Sequence, residues 1–234
     1  MKKLSILIAL VGVVGLVGAA GAVMTHGSVG VGHGINLPSG DSNPCNGTLC
    51  LNYDGSAENG FCWQYGGVVP GTTYGAFAEC CSAVNDNVCG IELLLTGVGY
   101  PCNTCDLYVW ADAGGIPGNV LSVTNGANPC PVASWPSIST HDFAISNTAV
   151  NGNFWIGYWA DDSAQPCGYF VAADLDGFGG CPLTNIAPGI GYPTGWTNTS
   201  VVWGPTQALG IGAWTDGIIP TQETSWGRVK ADFH

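Results

Sequence analysis

The sequence predicts an all-β protein, a single jelly-roll-like β-sandwich stapled by disulfides. Three observations carry that expectation. Beyond Cys45 the chain is a succession of short apolar runs broken by Gly, Pro and Asn, with no long stretch at helical spacing. Glycine supplies 37 of 234 residues, which suits frequent tight turns. All eleven cysteines follow an N-terminal segment patterned for export, as in proteins that mature in an oxidising compartment.

The export pattern consists of Lys2 and Lys3, an apolar run from Leu4 to Val17, and small residues at Ala19, Ala20, Gly21 and Ala22. Residues 1–22 are therefore expected to be a cleaved signal peptide, and the protein to be secreted or held at the cell surface. An uncleaved membrane anchor is the competing expectation, because the apolar stretch reaches Met24. Gly12, Gly15, Gly18 and Gly21 weaken such a helix, and no basic flank follows it. Residues 23–44 are expected to be a flexible Gly-rich lead-in carrying His26 and His33 in solvent. The sandwich is placed at 45–219 and a C-terminal tail at 220–234.

Strand candidates come from alternation. Ile91, Leu93 and Leu95 alternate with Glu92 and Leu94, which turns Glu92 toward solvent. Leu107 and Val109 alternate with Tyr108 and Trp110. Phe154, Ile156 and Tyr158 alternate with Trp155, Gly157 and Trp159. Tyr169–Ala172 and Ala208–Trp214 add two more. Gly114-Gly115-Ile116-Pro117-Gly118-Asn119 is expected to be the turn between the Val109-Trp110 and Val120-Leu121 strands. Asn125-Gly126 and Asn151-Gly152 are expected to be tight turns.

The cysteine spacing favours local staples: Cys45 with Cys50, Cys102 with Cys105, and one of Cys80 and Cys81 with Cys89. At most five bridges can form, leaving one cysteine free or available to link chains. Cys102-Asn103-Thr104-Cys105 also has the spacing of a redox pair or half a zinc site. The strand-like Asp106–Trp110 that follows it argues for a structural disulfide instead.

Two stretches resemble a recurrent type of secreted bacterial β-sandwich module: Tyr53-Asp54-Gly55-Ser56-Ala57-Glu58-Asn59, and the segment from Trp110 through Gly114-Gly115-Ile116-Pro117-Gly118 to Leu121. Phe154–Trp159 fits a strand of the same type, so the similarity spans roughly Leu51 to Thr215. The resemblance implies a jelly-roll-like fold that accompanies larger exported proteins, and it brings no catalytic residues. The many cysteines depart from the pattern, as does the lack of a recognisable enzyme domain or sorting tail.

Charge excludes several functions. Four Lys+Arg stand against sixteen Asp+Glu, and no Lys or Arg lies between Lys3 and Arg228. Phosphate recognition needs clustered cations, so nucleic acid and anionic lipid are not expected partners. A Ser-His-acid triad finds only His141, beside Asp142, and no Gly-x-Ser-x-Gly elbow. Glycoside cleavage needs two carboxylates, for which Glu58, Glu79, Glu92, Asp161 and Asp162 are candidates.

Hard oxygen ligands without competing cations suit a structural calcium ion, with candidates Asp54 and Glu58 in one turn and Asp174 and Asp176 in another. Trp155 and Trp159, four residues apart on one strand, would form a flat aromatic platform for a sugar, unless they fill a core. Asn46-Gly47-Thr48 and Asn198-Thr199-Ser200 match glycosylation acceptors. Together these features point to a non-catalytic structural or assembly component of the cell exterior, partnered by further copies or other surface components. A carbohydrate-binding module is the alternative and a glycan-cleaving hydrolase the third possibility.

Overall fold

The computed structural model describes residues 25–36, 43–45, 47–64, 72–162, 167–177 and 179–217. Residues 1–22, expected to be a signal peptide, Asn46, and residues 220–234, expected to be a C-terminal tail, lie outside the described residues. In chain order the elements are β1 (Thr25–Ser28), β2 (Ile35–Asn36), β3 (Thr48–Leu51), β4 (Asn59–Gln64), β5 (Phe77–Thr96), β6 (Cys105–Asp112), β7 (Pro117–Ala127), β8 (Ser137–Trp159), β9 (Phe170–Asp174), β10 (Leu183–Ile186), β11 (Gly195–Asn198), α1 (Ser200–Trp203), β12 (Ala208–Leu209) and β13 (Ile211–Thr215). The protein is all-β, as the alternation predicts.

The strands form one curled sheet whose main path runs β1-β4-β9-β5-β8-β6-β7. Its spine is an antiparallel ribbon of β5 and β8, 20 and 23 residues long. β5 carries β8 along one edge and β10, β13 and β9 in turn along the other. Alternation sends Ile91, Leu93, Leu95, Leu107, Val109, Phe154, Ile156, Val171, Ile211 and Ala213 to the concave side, where they share one buried core. Each fully buried side chain of this size stabilises the fold by about 2 kcal/mol.

The opposite face is apolar too. Leu94, Ile138 and Ala172 pack beneath Tyr53 and Ala57, and Trp110 and Trp155 pack with Ala78 and Leu183.

Several sequence expectations change. Asn151-Gly152 lies inside β8, not in a hairpin turn. The β5–β8 register slips between Ala83 and Asp86, opposite Gly152 and Val150, with Asn85 (φ 49°) and Gly152 (φ 83°) in left-handed conformations. Asn125-Gly126 likewise lies in β7 at a register break. Both dipeptides supply the positive φ of a bulge that bends a long strand. The lead-in is partly structured: β1 pairs with β4 and β2 runs parallel to β8. Gly27 fits there because a Cβ would press on Cys62 Sγ. Trp63, Trp196 and Trp203 lie in β4, β11 and α1.

Five disulfides form, none of them a local staple. Cys45 joins Cys89, Cys50 joins Cys81, Cys62 joins Cys167, Cys80 joins Cys181, and Cys102 joins Cys130. Cys45 and Cys50 do not pair because Cys50 stands on β3, within reach of Cys81 on β5. Cys80 and Cys81 are successive strand residues, so they face opposite sides and take separate partners.

Cys105 opens β6 with its side chain in the core and is the odd cysteine. Burial, with a smaller push from Asp106, moves its thiol up to about 12. A buried, protonated thiol cannot link chains. The loops closed by the bridges span 28 to 105 residues. In the loop-entropy model such bridges stabilise by about 3.5 to 5 kcal/mol each.

Candidate functional site

On one face of β8, β6 and β7 the aromatic residues Trp155, Trp110, Tyr108 and Trp159 come together. Register places Trp155 opposite Trp110, Gly157 opposite Tyr108, and Trp159 opposite Asp106. On the far side of β6, Val120 stands opposite Trp110 and Val123 opposite Tyr108. Directly opposed residues share a face, so these side chains form a grid of aromatic and aliphatic groups. Tyr108 stacks on Trp110 with centroids 5.0 Å apart, and Trp196 meets Trp110 edge-on at 5.3 Å.

The two sugar-platform candidates have different fates. Trp155 is only 3% exposed, packed under Leu183 and tied by its indole N–H to Asp112 Oδ1 at 2.8 Å. It therefore fills a secondary core and offers no open ring face beside Trp159. Trp159 is half-buried, and its indole N–H donates to the Tyr74 carbonyl at 3.0 Å, which fixes the ring. It lines a 230 Å³ cleft with Asn103, Thr104, Asp106 and Asp161.

Asp112, which the sequence reading passed over, organises the other end of this face. Besides Trp155 it accepts the Gly115 and Gly114 N–H groups at 3.0 and 3.1 Å, closing the β6–β7 turn. Hydrogen bonds from Trp155 and Gly115 hold its carboxyl below the ordinary range. An Asp two residues before Gly-Gly is an Asx-turn signal that could have identified it. A 380 Å³ cleft beside it is lined by Trp155, Asn52, Asn153 and the Cys50–Cys81 and Cys80–Cys181 bridges.

The two acidic turns converge although 120 residues separate them. Carboxylate oxygens of Asp54, Asp174 and Asp176 lie within 4.8 Å of one another. Asp174 is buried and ties the turns together, accepting the Asp54 N–H at 3.1 Å, the Asp176 N–H at 3.1 Å and the Gly177 N–H at 2.7 Å. Glu58 is not part of the trio; its carboxylate accepts the Leu175 N–H at 2.8 Å. Hydrogen bonds from the Ser56 backbone and hydroxyl hold Asp54 below its usual value.

The hydrolytic candidates do not assemble. Ser139 Oγ lies 2.8 Å from His141 Nε2, but Asp142, the next strand residue, faces the other way and accepts the Trp214 indole N–H at 2.7 Å. Burial holds His141 below its ordinary value, opposed by Asp142.

Glu92 does not face solvent: it is 7% exposed, and burial, then the Asp142 charge and a hydrogen bond to it, push Glu92 up to about 7. Carboxyls bonded to each other are closer than the roughly 5 to 9.5 Å that glycosidases leave for the scissile bond. Glu79 and Asp162 are buried and held by N–H donors.

At the end of the sheet β7 pairs only with β6 among the described residues. It is 11 residues long, whereas the other single-partner strands have 4 residues (β1, β3 and β11) or 2 (β2 and β12). It carries no charge, and Val120, Leu121 and Val123 are 52%, 44% and 43% exposed. No protein-family model, characterised protein or solved structure matches this chain.

Proposed function

We propose that this protein works outside the cell by contact rather than by catalysis, as a structural component that associates with further copies of itself through the β7 end of its sheet. The observation that carries this is the uncharged edge strand β7 with its exposed Val120, Leu121 and Val123. Long edges are ordinarily protected by charge, Pro or cover, because unpaired backbone groups and apolar side chains invite a partner. Three register breaks against β6 curl this edge, so apolar side-chain contact is the mode rather than one continuous hydrogen-bonded ladder. A second copy presents the same uncharged surface, and pairing the two about a twofold axis buries both.

Export is supported by the five bridges, which persist in oxidising compartments. No helix among the described residues is long and apolar enough to cross a membrane. A structural calcium ion is a second component of the proposal, supported by the gathering of Asp54, Asp174 and Asp176.

Light scattering across a concentration series tests the assembly. The wild-type particle mass is expected to rise with concentration under non-reducing conditions, and Val120→Lys with Val123→Lys to keep the chain monomeric. A wild-type monomer at every concentration, or equal assembly of the double variant, overturns it.

A further inference from the structure

Two disulfides wall the 380 Å³ cleft beside Asp112, and their sulfurs sit in different surroundings. Cys80 and Cys181 are both partly exposed there. Cys181 Sγ accepts the Cys80 N–H at 2.8 Å, and the Asn52 amide reaches it at 3.9 Å. Glu79 Oε2 lies 3.4 Å from the same sulfur. A thiolate formed at Cys181 therefore meets two N–H donors and a neighbouring acid, both of which stabilise it. The other four bridges differ. The sulfurs of Cys81, Cys89, Cys102 and Cys130 lie against main-chain carbonyl oxygens at 3.6, 3.2, 3.9 and 3.7 Å, which repel a thiolate. Cys62 and Cys167 are 2% and 1% exposed, out of reach of a reagent.

We propose that Cys80–Cys181 is a thiol-exchange site, at which a low-molecular-weight thiol enters the cleft, attacks Cys80 Sγ as its thiolate and expels Cys181. The incoming sulfur forms a mixed disulfide with Cys80 as the Cys80–Cys181 bond breaks, and the electron pair of that bond leaves on Cys181 Sγ. This sulfur takes the Glu79 proton, and the carboxylate regains one from water. A second molecule of the same thiol displaces Cys80, so that two external thiols are oxidised to one disulfide and the bridge is reduced to two cysteine thiols. Attack falls on Cys80 rather than Cys181 because exchange is faster when the departing sulfur is the better-stabilised anion. Burial pushes Glu79 up to about 7, so near neutrality part of the population holds the proton to be given. Opening frees the segment before β10, whose ladder to β5 consists of Leu183 opposite Ala78 and Thr184 opposite Phe77. The site is independent of the β7 contact and of the acidic turns.

Reduced glutathione, added to the folded full-length chain at pH 7, tests this. Samples taken at intervals are acidified, alkylated with N-ethylmaleimide before unfolding, and mapped by mass spectrometry. The first new species is expected to carry glutathione on Cys80 and the alkyl group on Cys181, with the other four bridges closed. Cys105, buried in the core, is expected to stay unalkylated, which verifies that the fold is intact. Glu79→Gln has no proton to give and is expected to open this bridge roughly ten-fold more slowly, at the low end of the effect of a general acid. Cys80→Ala with Cys181→Ala is expected to take up no glutathione over the same interval. Another bridge opening first, glutathione on Cys181 with Cys80 released, no opening until Cys105 becomes reactive, or a Glu79→Gln rate at or above wild type overturns the proposal.

Discussion

Raising the pH through neutrality is expected to loosen this fold, and Glu79 is the group that makes the effect assignable. Its carboxyl is fully buried, with Oε2 accepting the Asn52 amide and the Cys181 N–H at 3.0 Å each and Oε1 accepting the Leu209 N–H at 2.7 Å. Burial outweighs those donors and pushes Glu79 from 4.5 up to about 7. The folded chain therefore holds this proton more tightly than the unfolded chain. The resulting stability is fully present below about pH 4.5, is lost as pH rises through about 7, and levels off above that.

At about 1.4 kcal/mol per pH unit the contribution is about 3 kcal/mol, or about 6 to 12 °C in melting temperature for a chain of this size. Urea unfolding with intact disulfides at pH 5, 6, 7 and 8 measures it, for wild type and Glu79→Gln. Gln cannot titrate, and its amide N–H₂ faces donors, so the variant is less stable at pH 5 and the two curves converge as pH rises. Glu92, pushed up to about 7 as well, supplies slope that remains in the variant. Wild-type stability that is flat or rises from pH 5 to 8, or an identical slope in Glu79→Gln, refutes the assignment.

Three further outcomes are expected. Leu93→Ala empties a fully buried position on the β5 spine and is expected to cost about 2 to 5 kcal/mol in urea unfolding; a loss below 1 kcal/mol would contradict the burial. Gly157→Ala places a Cβ against the Phe77 carbonyl across the β5–β8 ladder, and a loss of about 1 to 3 kcal/mol or more is expected on the same assay, whereas wild-type stability would show that the strands are not in this register. Calcium is expected to raise the melting temperature, EDTA to reverse it, and Asp54→Asn with Asp176→Asn to abolish it, the gain being about 1.4 to 2.7 kcal/mol at ten to a hundred times the Kd; a melt indifferent to calcium removes the ion from the account.

The spine of the fold was legible because alternation is a local property. Ile91, Leu93 and Leu95 predict their own burial, and Gly114-Gly115 predicts the β6–β7 hairpin. What depends on register was not legible. Glu92 alternates like a solvent residue, yet the convex face of the sheet is itself covered, so the carboxyl ends up buried against Asp142. Asn151-Gly152 signals positive φ, which a hairpin turn and a bulge both require. Asp54 and Asp174 meet only because β9 pairs with β4, and no spacing along the chain reveals that. Trp159 was singled out from its strand position, but Asp106, its partner across the ladder, became visible only once β6 and β8 were in register.

Disulfide mapping of the non-reduced, alkylated protein tests the central claim most directly, since the sheet is held by cross-links between elements distant in sequence. Peptides joining Cys62 to Cys167 and Cys80 to Cys181 are expected, with a single alkylatable thiol, Cys105, that reacts only after unfolding. A Cys45–Cys50 or Cys102–Cys105 link, or a thiol that reacts fully in the native protein, contradicts this architecture.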